Sequence, residues 1–126
     1  MATGADLVVA ALRRYGVSHV FGNPGTTELP LVDALTASEL EYVLGLHEDV
    51  AVGAAAGYAA VRRDQVGRDP GAVGIVNLHA TPGLAHGLGN LYGAAMAGLP
   101  LVVTAGIHAT GFQHEEPKLS GDLVGM

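Results

Sequence analysis

The chain has 126 residues, no cysteine and a net charge of −6. Apolar residues make up 49% of it against 14% charged, which excludes a disordered chain and leaves room for one domain over residues 1–126. The acidic balance excludes an extended basic face, so neither nucleic acid nor an anionic membrane is expected as a partner.

In chain order, Thr3 with Asp6 three residues on forms a capping-box variant that opens a helix. Leu7, Val8, Ala11, Leu12 and Tyr15 share one face, and Gly16 stops it. This start lacks the basic-then-apolar order of a signal peptide, so the expected location is cytoplasmic. Val17–Gly22 reads as a strand, Asn23-Pro24-Gly25 as a turn, and Thr26 or Thr27 as the cap of a second helix to about Leu35. Tyr42–Leu46 is the second strand, and a helix of small residues runs from Glu48 to Arg63. A polar loop is expected over residues 64–71. Ala72–Leu78, apolar on both faces, reads as a central third strand. Pro82 starts a further helix, Gly98-Leu99-Pro100 ends it, and Leu101–Gly106 is the fourth strand. Residues 108–126 show no clear period. Strands alternating with helices predict a three-layer α/β/α fold with a mainly parallel sheet.

Two compositional features bear on packing. Ala and Gly together supply 39 residues, so helices and strands must approach closely. From Pro70 to His114 no Asp, Glu, Lys or Arg occurs, yet polar residues and prolines interrupt every apolar stretch before membrane-spanning length. The helix near Pro82–Ala97 lies in this run, uncharged all round, and is expected to be covered by another chain or domain.

Candidate functional residues cluster after the strands, where ligands bind in parallel α/β folds. Glu48 follows the second strand, with apolar neighbours that disfavour its charged form; the competing reading is a first-turn acid serving the helix dipole, a role Asp49 could also fill. Asn77 and His79 follow the third strand, and a neutral imidazole there could relay a proton or simply be a packed histidine. Gly22–Glu28 follows the first strand and offers free N–H groups to an anion, or a tight turn with an N-cap. It is neither a Gly-Lys-Ser/Thr phosphate loop nor Gly-x-Gly-x-x-Gly. His108, His114, Glu115 and Glu116 match no zinc spacing and read as a solvated loop.

The blocks Phe21-Gly22-Asn23-Pro24-Gly25-Thr26-Thr27-Glu28, Leu46-His47-Glu48 with Gly57-Tyr58-Ala59, and Asn77-Leu78-His79 with Gly83 resemble one family over nearly the whole chain. It is the N-terminal pyrimidine-binding domain of the thiamine diphosphate-dependent 2-oxo acid decarboxylases and acetolactate synthases, most similar to the benzoylformate decarboxylase branch. The resemblance implies a thiamine diphosphate-binding fold, incomplete at its C-terminal end, and non-oxidative decarboxylation of a benzoylformate-like 2-oxo acid. An acetolactate synthase-type carboligase and a non-catalytic partner subunit are its alternatives. Glu48 then matches the glutamate that exchanges a proton with N1′ of the cofactor's aminopyrimidine, and His79 a proton-relaying histidine. Thr26, with Gly25, falls where the benzoylformate decarboxylase branch has a serine whose hydroxyl contacts the substrate carboxylate, so the hydroxyl is kept and a methyl added. Pro24 and Asn77 fall among cofactor-binding positions. Ile107 stands where relatives often have glutamine. The family's Gly-Asp-Gly…Asn motif for Mg²⁺ and the diphosphate is absent from this sequence. The resemblance therefore implies a diphosphate-binding domain or subunit as partner, in a homo-oligomer (dimer or tetramer), and no activity for this chain alone.

Overall fold

The computed structural model describes residues 1–66 and 69–126, residue 66 by its backbone alone. Its elements are α1 (Gly4–Arg14), β1 (His19–Asn23), α2 (Leu29–Thr36), β2 (Glu41–Leu44), α3 (Glu48–Val66), β3 (Gly74–Leu78), α4 (Ala80–Met96) and β4 (Leu101–Ala105). Three short 3-10 turns complete it, at Thr26–Glu28, Pro70–Ala72 and Thr110–Glu115. The four strands form one parallel sheet in the order β2-β1-β3-β4.

The two faces of the sheet bury different chemistry because side chains alternate along each strand. Val20 and Ile75, which pair in register, point to the side where Val9, Val17, Leu35 and Leu40 pack from α1, α2 and their connections. Phe21 and Val76, also paired, point to the other side with Leu78, against Ala51, Val52 and Ala55 of α3. β3 is buried at every residue, as its apolar run predicts. The layers are therefore helices, sheet, helices, with no helix among the described residues long and apolar enough to cross a membrane.

Local chemistry explains the boundaries. At α1 the Asp6 N–H donates to Thr3 Oγ1 while Thr3 N–H donates to Asp6 Oδ2, the expected capping box. Gly16 closes this helix at φ +74°, a left-handed position that glycine adopts without strain. Three expectations are corrected. α3 runs on through Asp64–Val66, into what reads as loop, while residues 67 and 68 lie outside the described residues. Ala72 belongs to a 3-10 turn and β3 starts at Gly74; Asp69 Oδ1 accepts from Gly71 N–H at 2.7 Å and shapes that turn. Neither Thr26 nor Thr27 caps the helix after β1. A 3-10 turn comes first, and the Glu28 carboxylate reaches back to the Gly25 N–H instead.

α4 is not buried all round within this chain. Ala80, Gly83, Gly87 and Ala94 face inward, where a Cβ on Gly87 would already touch Val52 at 3.0 Å. Leu88, Tyr92 and Met96 are exposed on the opposite side, and Val102 and Val103 of β4 are exposed as well.

Candidate active site

At the carboxyl ends of β1, β3 and β4 lies a carboxylate that is almost fully enclosed. The Glu28 side chain is 1% exposed. Its Oε2 accepts from Gly25 N–H at 2.8 Å and meets His79 Nδ1 at 2.8 Å. Its Oε1 accepts from Thr27 Oγ1 at 2.6 Å, from Gly106 N–H at 2.8 Å and from Ala80 N–H at 3.4 Å. One N–H of the glycine-rich loop, that of Gly25, thus faces an anion that is the protein's own side chain, and the other two N–H donors come from Ala80 and Gly106. Burial works against ionisation of Glu28, yet the bonds from Thr27, Gly25, His79 and Ala80 hold its carboxyl below the ordinary value of 4.5.

This network fixes His79. Its Nδ1 faces an ionised carboxylate that can only accept, so Nδ1 carries the proton and Nε2 is the ring atom left for chemistry. The imidazole lies flat against Gly25, where a Cβ would come within 2.2 Å of Nδ1. The next residue, Ala80, has φ +48°, a left-handed conformation costly for a side chain. That turn carries the chain from β3 into α4 and brings the Ala80 N–H round to Glu28.

Glu48 opens α3 after β2 and is placed differently. Its side chain is 13% exposed, and its one hydrogen-bond partner among the described residues is His86 Nδ1 at 3.2 Å from Oε2. Of its apolar neighbours in sequence, Leu46 and Val50 are exposed and Ala51 and Val52 buried, while Gly83 and His86 of α4 approach its carboxylate. Asp49 is committed elsewhere. Its Oδ1 accepts from Asn90 N–H at 2.9 Å and its backbone carbonyl from Asn90 Nδ2 at 2.8 Å, which ties α3 to α4.

Gly83 joins the two sites. A Cβ added there would sit 3.4 Å from Glu48 Oε1 and 3.4 Å from His79 Cβ. Glu48 and His79, 31 positions apart in sequence, therefore border the same bare stretch of α4 backbone.

Beneath them runs a second polar chain that crosses the whole sheet. Tyr42 Oη donates to Asn77 Oδ1 at 3.2 Å, Asn77 Nδ2 donates to Thr104 Oγ1 at 2.9 Å, and Thr104 Oγ1 donates to the Val76 carbonyl at 3.3 Å. Gly22 makes room for it, since a Cβ there would come within 2.1 Å of Tyr42 Oη. Burial, with the Glu28 charge second, pushes the Tyr42 hydroxyl well above its ordinary value, so it stays a donor.

Of the residues singled out in the sequence, Glu48 and His79 are brought together. Thr26 is exposed at the start of the 3-10 turn, Pro24 is half-buried in the turn before it, and the Gly25 N–H is held by Glu28. Asn77 is fully buried, both ends of its amide bonded within the sheet. Ile107 is exposed beside Gly106. His114 pairs only with its neighbour Glu115, at 3.1 Å on the surface. The sequence reading missed Glu28, Tyr42 and Thr104. For Glu28 a signal exists: a glutamate three residues after a loop glycine, with no basic residue near it to pair.

Residues 2–124 match the family described as "Thiamine pyrophosphate enzyme, N-terminal TPP binding domain". The benzoylformate decarboxylase of Pseudomonas aeruginosa is 43% identical over 95 residues, 75% of this chain and 16% of that protein. The acetolactate synthase isozyme 3 large subunit of Escherichia coli is 36% identical over 127 aligned positions, covering all of this chain and 21% of that subunit. A solved thiamine diphosphate-dependent 4-hydroxybenzoylformate decarboxylase of Rhodococcus jostii superposes with a TM-score of 0.85 at 36% identity, over 98% of this chain and 22% of that one. The chain thus spans about a fifth of the length of such relatives. It belongs to the thiamine pyrophosphate enzyme family, as the N-terminal cofactor-binding domain.

Proposed function

We propose that this chain supplies the pyrimidine side of a thiamine diphosphate site for non-oxidative decarboxylation of a 2-oxo acid, benzoylformate-like in shape. The observation that carries the reading is the pair Glu48 and His79 on either side of the Gly83 backbone. The residues fit the group. Among the described residues Glu48 has a carboxylate with no donor other than His86, able to hold and exchange a proton at a ring nitrogen. Gly83 leaves open the space that a side chain would fill. When bound, thiamine diphosphate supplies a carbon nucleophile that attacks 2-oxo acids.

The chain's own residues do the rest. Glu48 binds N1′ of the aminopyrimidine and moves a proton to and from it. His79, its tautomer set by Glu28, presents Nε2 to the substrate side and transfers a proton there. Thr26 offers a hydroxyl to the substrate carboxylate, and Gly25 gives the His79 ring its place by lacking a side chain. Pro24 lines the cofactor from the turn after β1. Asn77 acts from below, holding the ends of β2, β3 and β4 in register. Mg²⁺ and the diphosphate are held by another domain or subunit, and the exposed face of α4 at Leu88, Tyr92 and Met96 is suited to cover by such a partner in a dimer or tetramer.

The test is CO₂ release from benzoylformate by the complete enzyme carrying this chain, with thiamine diphosphate present. Glu48→Gln should lower it by at least about 10²-fold, as loss of a general acid/base does. Unchanged turnover would refute the role of Glu48. The similarity to acetolactate synthases favours a second reading, carboligation, in which the same residues activate the cofactor but a second carbonyl compound accepts the product. Acetohydroxy acids in place of aldehyde would decide for it, and no turnover on mixing with a diphosphate-binding partner would favour a non-catalytic subunit.

A further inference from the structure

His47, Glu48 and His86 bring two imidazoles and a carboxylate together at the joint between the β2–α3 connection and α4. One ligand-capable atom from each lies within 4.8 Å of the others. The two rings stack with centroids 5.3 Å apart and planes 25° from parallel. His86 Nδ1 and Glu48 Oε2 are already 3.2 Å apart. That is close to the roughly 3.3 Å between neighbouring ligands of a tetrahedral zinc ion with bonds of about 2.0–2.1 Å. Both histidines are exposed, so an ion can reach them and His47 can swing inward by the remaining ångström or so.

We propose that these three residues form a binding site for a first-row divalent metal ion of the zinc type. Two neutral imidazoles and one carboxylate with an open fourth position match the preference of that ion. Binding has identifiable costs. His47 Nδ1 accepts the Asp49 N–H at 3.2 Å. A metal taking that nitrogen displaces this contact, while a metal on Nε2 requires the proton to move to Nδ1. Either way one exposed first-turn N–H is left, which water can satisfy. The positive end of α3 opposes a cation, weakly against three coordinate bonds. Occupancy takes Glu48 Oε2 and leaves Oε1, the oxygen that faces Gly83.

The experiment is Zn²⁺ titration by calorimetry of the full chain that carries these residues, without thiamine diphosphate, with Co²⁺ absorption as a second readout. One ion per chain is expected, with a tetrahedral Co²⁺ spectrum. His86→Asn and His47→Gln should each weaken binding at least about tenfold, and the double variant should abolish the Co²⁺ spectrum. Both side chains are on the surface, and circular dichroism checks that the variants keep their fold. No saturable binding would overturn the proposal, as would equal affinity in the double variant. Loss of binding in His114→Gln alone would also overturn it, by placing the ion at the His114–Glu115 pair. Because no thiamine compound is present, these outcomes are independent of the catalytic reading of Glu48.

Discussion

Glu28 and Glu48 stand in equivalent places, each shortly after a parallel strand near a helix start, and end in opposite states. Glu28 is enclosed and saturated by three backbone N–H groups, a hydroxyl and an imidazole. Glu48 is covered almost as well but has one long contact to an exposed histidine. A buried carboxylate whose partners are all internal is part of the scaffold. One that is shielded from water and left short of partners is available to a ligand. The difference arises from topology: β1 lies inside the sheet, so the ends of β3 and β4 converge on Glu28, whereas β2 is an edge strand and Glu48 meets only α4.

Removing the saturated carboxylate should have the largest effect on folding. Glu28→Ala would strand the N–H groups of Gly25, Ala80 and Gly106, and at about 1–3 kcal/mol per unmet buried donor the loss is at least about 3 kcal/mol in urea unfolding. Gly25→Ala attacks the same network from the other side. Its methyl would overlap the His79 ring, so a loss of about 1–3 kcal/mol is expected, with the His79 ring NMR signals displaced.

The ionisation of Glu28 sharpens the contrast further. Its folded carboxyl lies below the ordinary value of 4.5: burial would raise it, but its hydrogen bonds outweigh that. Its contribution is therefore complete above the unfolded pKa and lost as pH falls through the folded one. Glu28→Gln should flatten the acid limb of the stability curve below about pH 4.5, the usual carboxyl range. Tyr42→Phe removes one donor from buried Asn77, at an expected cost of about 1 kcal/mol by thermal unfolding. The smallest change is Gly83→Ala. Its methyl meets Glu48 and His79 at ordinary contact distance, so stability should rise slightly, by up to about 1 kcal/mol, while thiamine diphosphate binding by the complete enzyme weakens.

How much of this was legible depends on whether the signal is local. The alternation of strands and helices, the Thr3 box and the buried character of β3 are written in neighbouring residues, and all appear in the fold. Glu48 and His79 stood out by position, His79 immediately after β3 and Glu48 shortly after β2, while the roles proposed for them rest on the resemblance. Glu28 was not read as a hub: its partners at His79, Ala80 and Gly106 lie more than 50 positions away, and only the β1-β3-β4 adjacency unites them. Tyr42 failed for the same reason, reading as an apolar strand residue until Asn77 arrives beside it from β3. Which face of α4 turns inward was not legible, because small uncharged residues look the same facing a core or facing solvent.

The most direct test compares urea unfolding of Glu28→Gln and Glu48→Gln with that of the unchanged chain. The expected result is a loss of roughly 1–3 kcal/mol for Glu28→Gln and a change within about 0.5 kcal/mol for Glu48→Gln. Equal losses, or the larger loss at Glu48, would contradict the division between a carboxylate that holds the fold and one left free for a ligand.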